Sequence, residues 1–247
     1  MMIEVNPQVR PDETLDTFYK GRILVLQRKN GFRFSVDAPL LADFIKIKEG
    51  EEVLEIGSGC GIISLLLSIK PFKHIVALEV QPGLAELAKR NVMLNNLDGR
   101  ITIIQKDFRE YHPYRKFDVI FSNPPYIKKN TGFLSPLPEK NIAKHELMCS
   151  LEEILVWTKT WLKETGRAYF IFPDQRRQEF EEELARQNLR LRSKRLVLPR
   201  ENEPPNFMLA ECGFQAETTV ILPPLILFGP EGKYTAEAEE IFAGREK

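Results

Sequence analysis

Cysteine is scarce in this chain, and neither sign of charge is in excess. The 247 residues include three cysteines, Cys60, Cys149 and Cys212, which lie too far apart to suggest a disulfide framework or a metal cluster. Reduced thiols are typical of cytosolic proteins, so we expect a cytoplasmic location and no metal. Basic and acidic residues number 35 each, which gives a formal net charge of zero. Any contact with nucleic acid must therefore depend on a local basic cluster.

Long apolar segments are also missing. The first ten residues are polar and contain no signal segment, and no stretch approaches the about 20 apolar residues of a membrane helix. The hydrophobic content of 43% is ample for one core. We therefore predict a single domain over residues 1–247, away from membranes, with an N-terminal hairpin and helix extension (1–50) before the main core (51–247). Nothing in the sequence indicates an oligomeric state.

Hydrophobic periodicity predicts an α/β fold. In the extension, residues 23–26 and 32–34 flank Asn30-Gly31, which predicts a hairpin turn, and Ser35 or Asp37 is predicted to cap a short helix. From residue 52, strands at 52–56, 75–78, 101–104, 118–121, 168–172, 191–198 and 207–212 alternate with helices at 62–69, 84–94, 151–162 and 175–187. This alternation predicts a doubly wound, mostly parallel, seven-stranded sheet with helices on both faces. Ligands then bind beyond the carboxyl ends of the strands.

A glycine-rich loop follows the first core strand. Glycines allow a tight turn and close approach to a ligand. A phosphate-binding Walker loop is excluded because Gly-Lys-Ser/Thr is absent, and a dinucleotide fingerprint because Ile62 stands at the third glycine position. An acidic residue followed by Gly-x-Gly-x-Gly resembles the first motif of class I methyltransferases, with a plain glycine-rich turn as the alternative. The expected contacts to S-adenosylmethionine here are Glu55, Gly57, Gly59, Cys60 and Gly61.

Acidic residues end the next two predicted strands. Glu79, followed by Val80, is placed to accept hydrogen bonds from both ribose hydroxyls of the cofactor, as an acid does in dinucleotide folds. Asp107, followed by Phe108, matches the acid that accepts from the adenine amino group in the methyltransferase pattern. An acid at a strand end is often only a solvated cap, but two acids after such a loop favour a cofactor site that includes all four residues.

The segment Asn123-Pro124-Pro125-Tyr126 ends the fourth predicted strand and is the candidate catalytic motif, with Asn123 also beside the cofactor. An exocyclic amino nitrogen is a poor nucleophile because its lone pair is delocalised. The Asn123 side-chain oxygen and the Pro124 carbonyl are candidate acceptors for its N–H groups, and consecutive prolines preset the carbonyl directions. Tyr126 offers a face for base stacking. The alternative is a proline-rich turn without catalytic function.

Together these segments resemble the bacterial tRNA1(Val) adenine-37 N6-methyltransferase family, nearly end to end. The resemblance includes residues 31–38, 55–61, 123–126, 145–151 and 227–235. It implies a Rossmann-like class I fold, S-adenosylmethionine as cofactor, and N6 of an adenine in RNA, with tRNA expected, as the methyl acceptor. It also implies that Phe34 and Asp37 lie near the site. The four-residue motif is shared with DNA adenine, rRNA guanine and protein glutamine methyltransferases, so it indicates the chemistry better than the substrate.

Basic residues near the motif are candidate RNA contacts. Lys128 and Lys129 follow it directly, and Arg200 ends a basic segment that begins at Arg186. Clusters of this kind neutralise phosphates. The alternative for all of them is a solvated surface.

Two other functions stay open. The first is a protein glutamine methyltransferase acting on release factors, a family that shares the tetrapeptide. That family carries a helical domain before the glycine loop, whereas in this sequence only about fifty residues, with a hairpin signal, precede Glu52. A non-catalytic RNA-binding module on the same fold is the other, and the intact loop, acids and Asn123 disfavour it.

Overall fold

A computed structural model describes residues 9–30, 33, 35–124 and 149–245. Its first two strands, β1 (Glu13–Phe18) and β2 (Ile23–Arg28), form an antiparallel hairpin. The turn passes through Tyr19, Lys20 and Gly21, all with positive φ. A hairpin was predicted from residues 23–26 and 32–34, whereas the described hairpin pairs β2 with the segment before it. Gly31, Phe32 and Phe34 of the predicted hairpin lie outside the described residues. β1 is mostly polar and partly exposed, so no hydrophobic pattern in the sequence indicates this strand.

The hairpin leads to helix α1 (Asp37–Phe44), which is almost entirely buried. Its N-cap is Val36, which makes no side-chain capping bond, so the predicted caps, Ser35 and Asp37, are wrong. The Ser35 hydroxyl instead donates to Asp37 Oδ1 at 2.7 Å. Asp37 is the first residue of the helix, and its side chain takes part in the contacts described below.

The core then alternates strands and helices with bounds close to those predicted. The strands are β3 (Glu52–Ile56), β4 (His74–Glu79), β5 (Ile101–Gln105), β6 (Phe117–Ser122), β7 (Leu162–Pro173), β8 (Arg190–Leu198), β9 (Phe207–Gly213), β10 (Val220–Ile221) and β11 (Leu225–Ile226). The helices are α2 (Ile62–Leu67), α3 (Pro82–Leu94), α4 (Leu151–Trp161), α5 (Arg177–Arg186) and α6 (Ala236–Ala243), with short 3-10 turns at Phe108–Glu110 and Asp174–Arg176.

The sheet order is β10-β8-β9-β7-β6-β3-β4-β5, with β11 also paired to β8. The five strands β3 to β7 are all parallel to one another. Strand β9 lies between β7 and β8 and is antiparallel to both. The predicted doubly wound, mostly parallel sheet is confirmed. The seven predicted strands are β3 to β9, and within the described part of the chain the two-residue strands β10 and β11 extend the sheet to nine strands. The order reverses between β3 and β6, which is where such sheets bind ligands.

Helices cover both faces, as predicted. Successive residues of a buried strand alternate between two apolar clusters, so that Val53 belongs to one and Leu54 to the other. The first cluster contains side chains of α1, α2, α3 and α6, and the second contains those of α4 and α5. Among the described residues, every helix falls short of the length and apolar character needed to cross a bilayer.

Candidate active site

The glycine loop between β3 and α2 forms one side of a cleft. Gly57, Gly59 and Gly61 have φ of +74°, +57° and +84°, a region that residues with a Cβ rarely adopt. The N–H groups of Gly57 and Ser58 both donate to the Leu78 carbonyl at 2.9 Å. The loop is therefore fixed against the end of β4, and its backbone faces the edge of the sheet.

Glu79, the last residue of β4, is the buried acid of this cleft. It is 5% exposed, and each of its carboxylate oxygens accepts a backbone N–H: Oε2 from Gly59 at 2.8 Å and Oε1 from Gln81 at 2.9 Å. Two amides on separate segments thus fix the plane of the carboxylate. A carboxylate can accept several hydrogen bonds, and hydroxyl groups of a ligand are suitable donors to Glu79.

The cleft lies across the ends of β3, β4, β5 and β6. Its wall is apolar with a few polar groups. It brings together eight of the predicted site residues: Gly57, Gly59, Glu79, Val80, Asp107, Phe108, Asn123 and Pro124. The wall also contains apolar side chains that sequence reasoning did not single out: Ile56, Leu78, Leu84 and Ile154.

Three predicted cofactor contacts, Glu55, Cys60 and Gly61, are not among the residues that line the cleft. Glu55 is 1% exposed and accepts a hydrogen bond from the Ser64 hydroxyl, and burial raises its pKa to about 8. Cys60 is buried. A Cβ on Gly61 would lie 3.3 Å from the Ala88 Cβ, so this glycine lets α2 pack closely on α3. The structure gives all three residues places in the packing rather than on the cleft wall.

Glu55 provides a stability test of this placement. Its pKa is about 8 in the folded protein, against an ordinary value of 4.5, so between these pH values the folded state binds the extra proton. The stability that this group contributes is therefore full at low pH and falls as pH rises. A glutamine in the Glu55→Gln variant still accepts from Ser64 and cannot ionise. As pH rises from 5.5 to 6.5, we expect the free energy of unfolding of the variant to increase by about 1 kcal/mol relative to that of wild type, as measured by urea unfolding. A difference that stays constant with pH would contradict a buried, protonated Glu55.

Asp107 is held by a network that sequence reasoning missed. Its Oδ1 accepts from the N–H and Nε of Arg109 at 3.0 and 2.9 Å, and this guanidinium holds the pKa of Asp107 below its usual range. Arg109 Nη1 also donates to Glu153 at 2.8 Å. Ser150 and Glu153 form a capping box at the start of α4. The Ser-x-x-Glu spacing could have revealed the helix start, but not its link to Asp107.

Asn123 directly follows β6, and its side chain meets the N-terminal extension. The Asn123 Nδ2 donates to Asp37 Oδ2 at 3.0 Å, and Asp37 is 6% exposed. Pro124 is buried and lines the same cleft. The catalytic and RNA-binding candidates that lie outside the described residues are Phe34, Pro125, Tyr126, Lys128 and Lys129.

Arg200 and the basic segment before it are dispersed among ion pairs. Arg200 pairs with Glu203 at 2.9 Å and lies over the Phe228 ring at 6.0 Å. It is in the loop after β8 and is not among the cleft residues. Other members of the segment are paired as Arg186 with Glu183, Lys194 with Glu181, and Arg195 with Glu237. This arrangement fits the solvated-surface alternative for the segment.

Comparison with known proteins finds relatives of this chain. The family model described as the methyltransferase small domain matches residues 33–137. A tRNA1(Val) (adenine(37)-N6)-methyltransferase of Aliivibrio fischeri (strain MJ11) is 35% identical over 144 residues, which are 58% of this chain and 61% of that protein. A protein of the same name from Dyadobacter fermentans is 27% identical over 212 residues, 84% of this chain and 87% of its own length. The chain thus spans about three fifths of the Aliivibrio relative.

Among solved structures, a predicted O-methyltransferase from Agrobacterium tumefaciens aligns with a TM-score of 0.66 at 20% identity, covering 85% of this chain and 96% of that one. A likeness at this identity shows the fold alone, and the Rossmann-like class I methyltransferase fold is confirmed. The resemblance found in the sequence is confirmed as well. With its glycine loop, strand-end acids and Asn123 in one cleft, the chain is similar to the methyltransferase small domain over residues 33–137 and to the bacterial tRNA1(Val) (adenine(37)-N6)-methyltransferases.

Proposed function

We propose that the protein is an S-adenosylmethionine-dependent methyltransferase that modifies an exocyclic amino nitrogen, N6 of an adenine in tRNA. One observation carries this proposal: Asn123 and Glu79 line the same cleft, from the ends of two strands that flank β3. Glu79, proposed to bind the cofactor, and Asn123, proposed to bind the methyl acceptor, therefore lie in neighbouring parts of one cleft. The names of the curated relatives favour tRNA as substrate, and a tRNA substrate favours activity in the cytoplasm.

The residues of the cleft fit S-adenosylmethionine. Glu79 would accept from the ribose hydroxyls, and Asp107 would accept from the adenine amino group. The backbone at Gly57 and Gly59 would contact the methionine part, and the apolar wall would enclose the adenine ring. Both acids are already fixed, Glu79 by backbone amides and Asp107 by Arg109, so little ordering is left for binding to impose. When bound, the cofactor supplies an electrophilic methyl group on a sulfonium.

Asn123 and Pro124 would act on the amino group that receives the methyl. Acceptors aimed at its two N–H bonds favour electron density on nitrogen and stabilise the positive charge that develops there. The Asn123 side-chain oxygen and the Pro124 carbonyl are these acceptors in our proposal. Because preorganised dipoles do this work, the amino nitrogen would need no strong general base before it attacks. The nitrogen–carbon bond would form as the carbon–sulfur bond breaks, the demethylated cofactor would leave as a neutral thioether, and the extra proton on nitrogen would pass to water. The stacking face expected of Tyr126 would hold the base in line.

Methyl transfer to defined RNA tests the proposal. Purified protein would be incubated with S-adenosylmethionine labelled in the methyl group and with tRNA from cells that lack the encoding gene. Mass spectrometry of the digested nucleosides should then show labelled N6-methyladenosine. Label on a glutamine of a release factor would favour the protein methyltransferase alternative instead. Cofactor binding without transfer to either substrate would contradict the proposed activity.

Lys128 and Lys129 provide a test of RNA contact. If both meet phosphates, their joint replacement by alanine should weaken RNA binding across sequences and reduce the slope of log K against log salt by about two contacts. Affinity for the cofactor should not change. Filter binding at several salt concentrations measures the slope, and Lys159→Ala with Lys163→Ala, on and just after α4, is the matched control. An unaltered slope would contradict the phosphate contacts and favour the alternative that both lysines are solvated surface residues.

A further inference from the structure

We infer that Asp37 is a positioning residue that sets the orientation of the Asn123 amide, so that its oxygen rather than its NH2 group is presented to the substrate. This inference rests on the proposed function, which it deepens. It predicts that the site accepts substrates whose methylated group is an amino group with N–H donors, and that it disfavours substrates with a carbonyl at the same position. It also gives the N-terminal extension a part in the active site.

The Asp37 carboxylate is itself fixed at both oxygens. Oδ1 accepts from the Ser35 hydroxyl at 2.7 Å and from the Ala38 N–H at 3.0 Å, while Oδ2 accepts from Asn123 Nδ2 at 3.0 Å. The side chain is 6% exposed, so water competes little for these bonds. Asp37 and Asn123 are 86 residues apart in sequence. The contact therefore depends on the fold, which brings the first residue of α1 beside the residue that follows β6.

The chemistry of the pair determines which way the amide points. The two ends of an asparagine amide are nearly identical in shape, so packing alone cannot distinguish its two orientations. A carboxylate is only an acceptor, and therefore it selects the orientation in which Nδ2 faces it. The amide oxygen, on the other branch of the planar group, then points away from Asp37. The opposite orientation would place Asn123 Oδ1 against Asp37 Oδ2, with no hydrogen bond and with mutual repulsion.

An active site that receives an amino group needs this orientation. An amide turned the other way would present N–H donors to the N–H donors of the substrate, leaving both sets unpaired at the moment of methyl transfer. A buried donor without a partner is costly. Asp37 thus acts through Asn123 and does not itself need to touch the substrate.

The Asp37→Asn variant tests the inference with little change of shape. Asparagine at 37 can accept from or donate to Asn123, so both orientations of the Asn123 amide become allowed. We expect kcat for methyl transfer to fall roughly tenfold, with KM for tRNA, cofactor affinity and Tm unchanged. In an Asn123→Ala background, Asp37→Asn should have no further effect on rate. Asp118→Asn, at the opposite end of β6, is the matched control and should keep wild-type kcat. An unchanged kcat in Asp37→Asn, or equal losses with and without Asn123, would overturn the inference.

A readout independent of activity separates this inference from the proposed function. The side-chain NH2 signals of Asn123, assigned by their loss in Asn123→Ala, should show one proton shifted downfield by the carboxylate in ¹⁵N–¹H NMR spectra. That shift should collapse in Asp37→Asn and persist in Asp118→Asn. Identical Asn123 signals in wild type and Asp37→Asn would overturn the inference even if the enzyme is active. The expected spectra from a protein that methylates no RNA would support the amide orientation and overturn the proposed function.

Discussion

The Asn123→Ala variant is expected to lose methyl transfer by about 10²–10³-fold, the usual effect of removing one preorganised dipole from an active site. The loss arises because the amide oxygen acts in the transition state, where the amino nitrogen gains positive charge. RNA and cofactor binding should remain nearly intact, so kcat falls while KM changes little. Single-turnover transfer to unmodified tRNA measures the chemical step directly.

A control for this prediction lies at the same edge of the sheet. Asn206 directly precedes β9 and is not among the cleft residues, so Asn206→Ala should keep the wild-type rate. Circular dichroism would establish that both variants are folded. Full activity in Asn123→Ala would contradict the proposed role of the Asn123 side-chain oxygen in methyl transfer.

Replacing Glu79 with alanine should weaken the binding of S-adenosylmethionine and of its demethylated product by about 1.5–3 kcal/mol, the range for hydrogen bonds to a charged acceptor. This corresponds to roughly 10–150-fold in Kd. Two effects combine here. The ribose hydroxyls lose their acceptor, and the N–H groups of Gly59 and Gln81 lose the carboxylate that fixes the loop. Isothermal titration calorimetry measures both affinities.

Two further variants sharpen this second prediction. Glu79→Gln keeps an oxygen acceptor and should lose less affinity than alanine. Glu86→Ala removes an exposed acid of α3, which pairs with Arg10, and should bind the cofactor like wild type. Wild-type affinity in Glu79→Ala would place the cofactor elsewhere on the protein.

Local sequence patterns were sufficient for the core and for much of the cleft. The alternating apolar runs predicted β3 to β9 and the helices between them, because burial on both faces of a parallel sheet demands continuous apolar strands. The acids Glu79 and Asp107 and the motif residue Asn123 each end or follow a strand. Parallel strands end at one edge of a sheet, and this topology brings the three residues into one cleft without any further information.

Tertiary structure alone decided the contacts between distant segments. The partner of β2, the pairing of Arg109 with Glu153, and the hydrogen bond from Asn123 to Asp37 join segments whose local sequence carries no sign of each other. Position in sequence also could not separate Glu55, which lies in β3 and accepts from Ser64, from Ile56 on the cleft wall, because successive residues of a strand point to opposite faces. Periodicity determines which face of an element is buried, but the direction of a polar side chain depends on the partner that the fold places beside it.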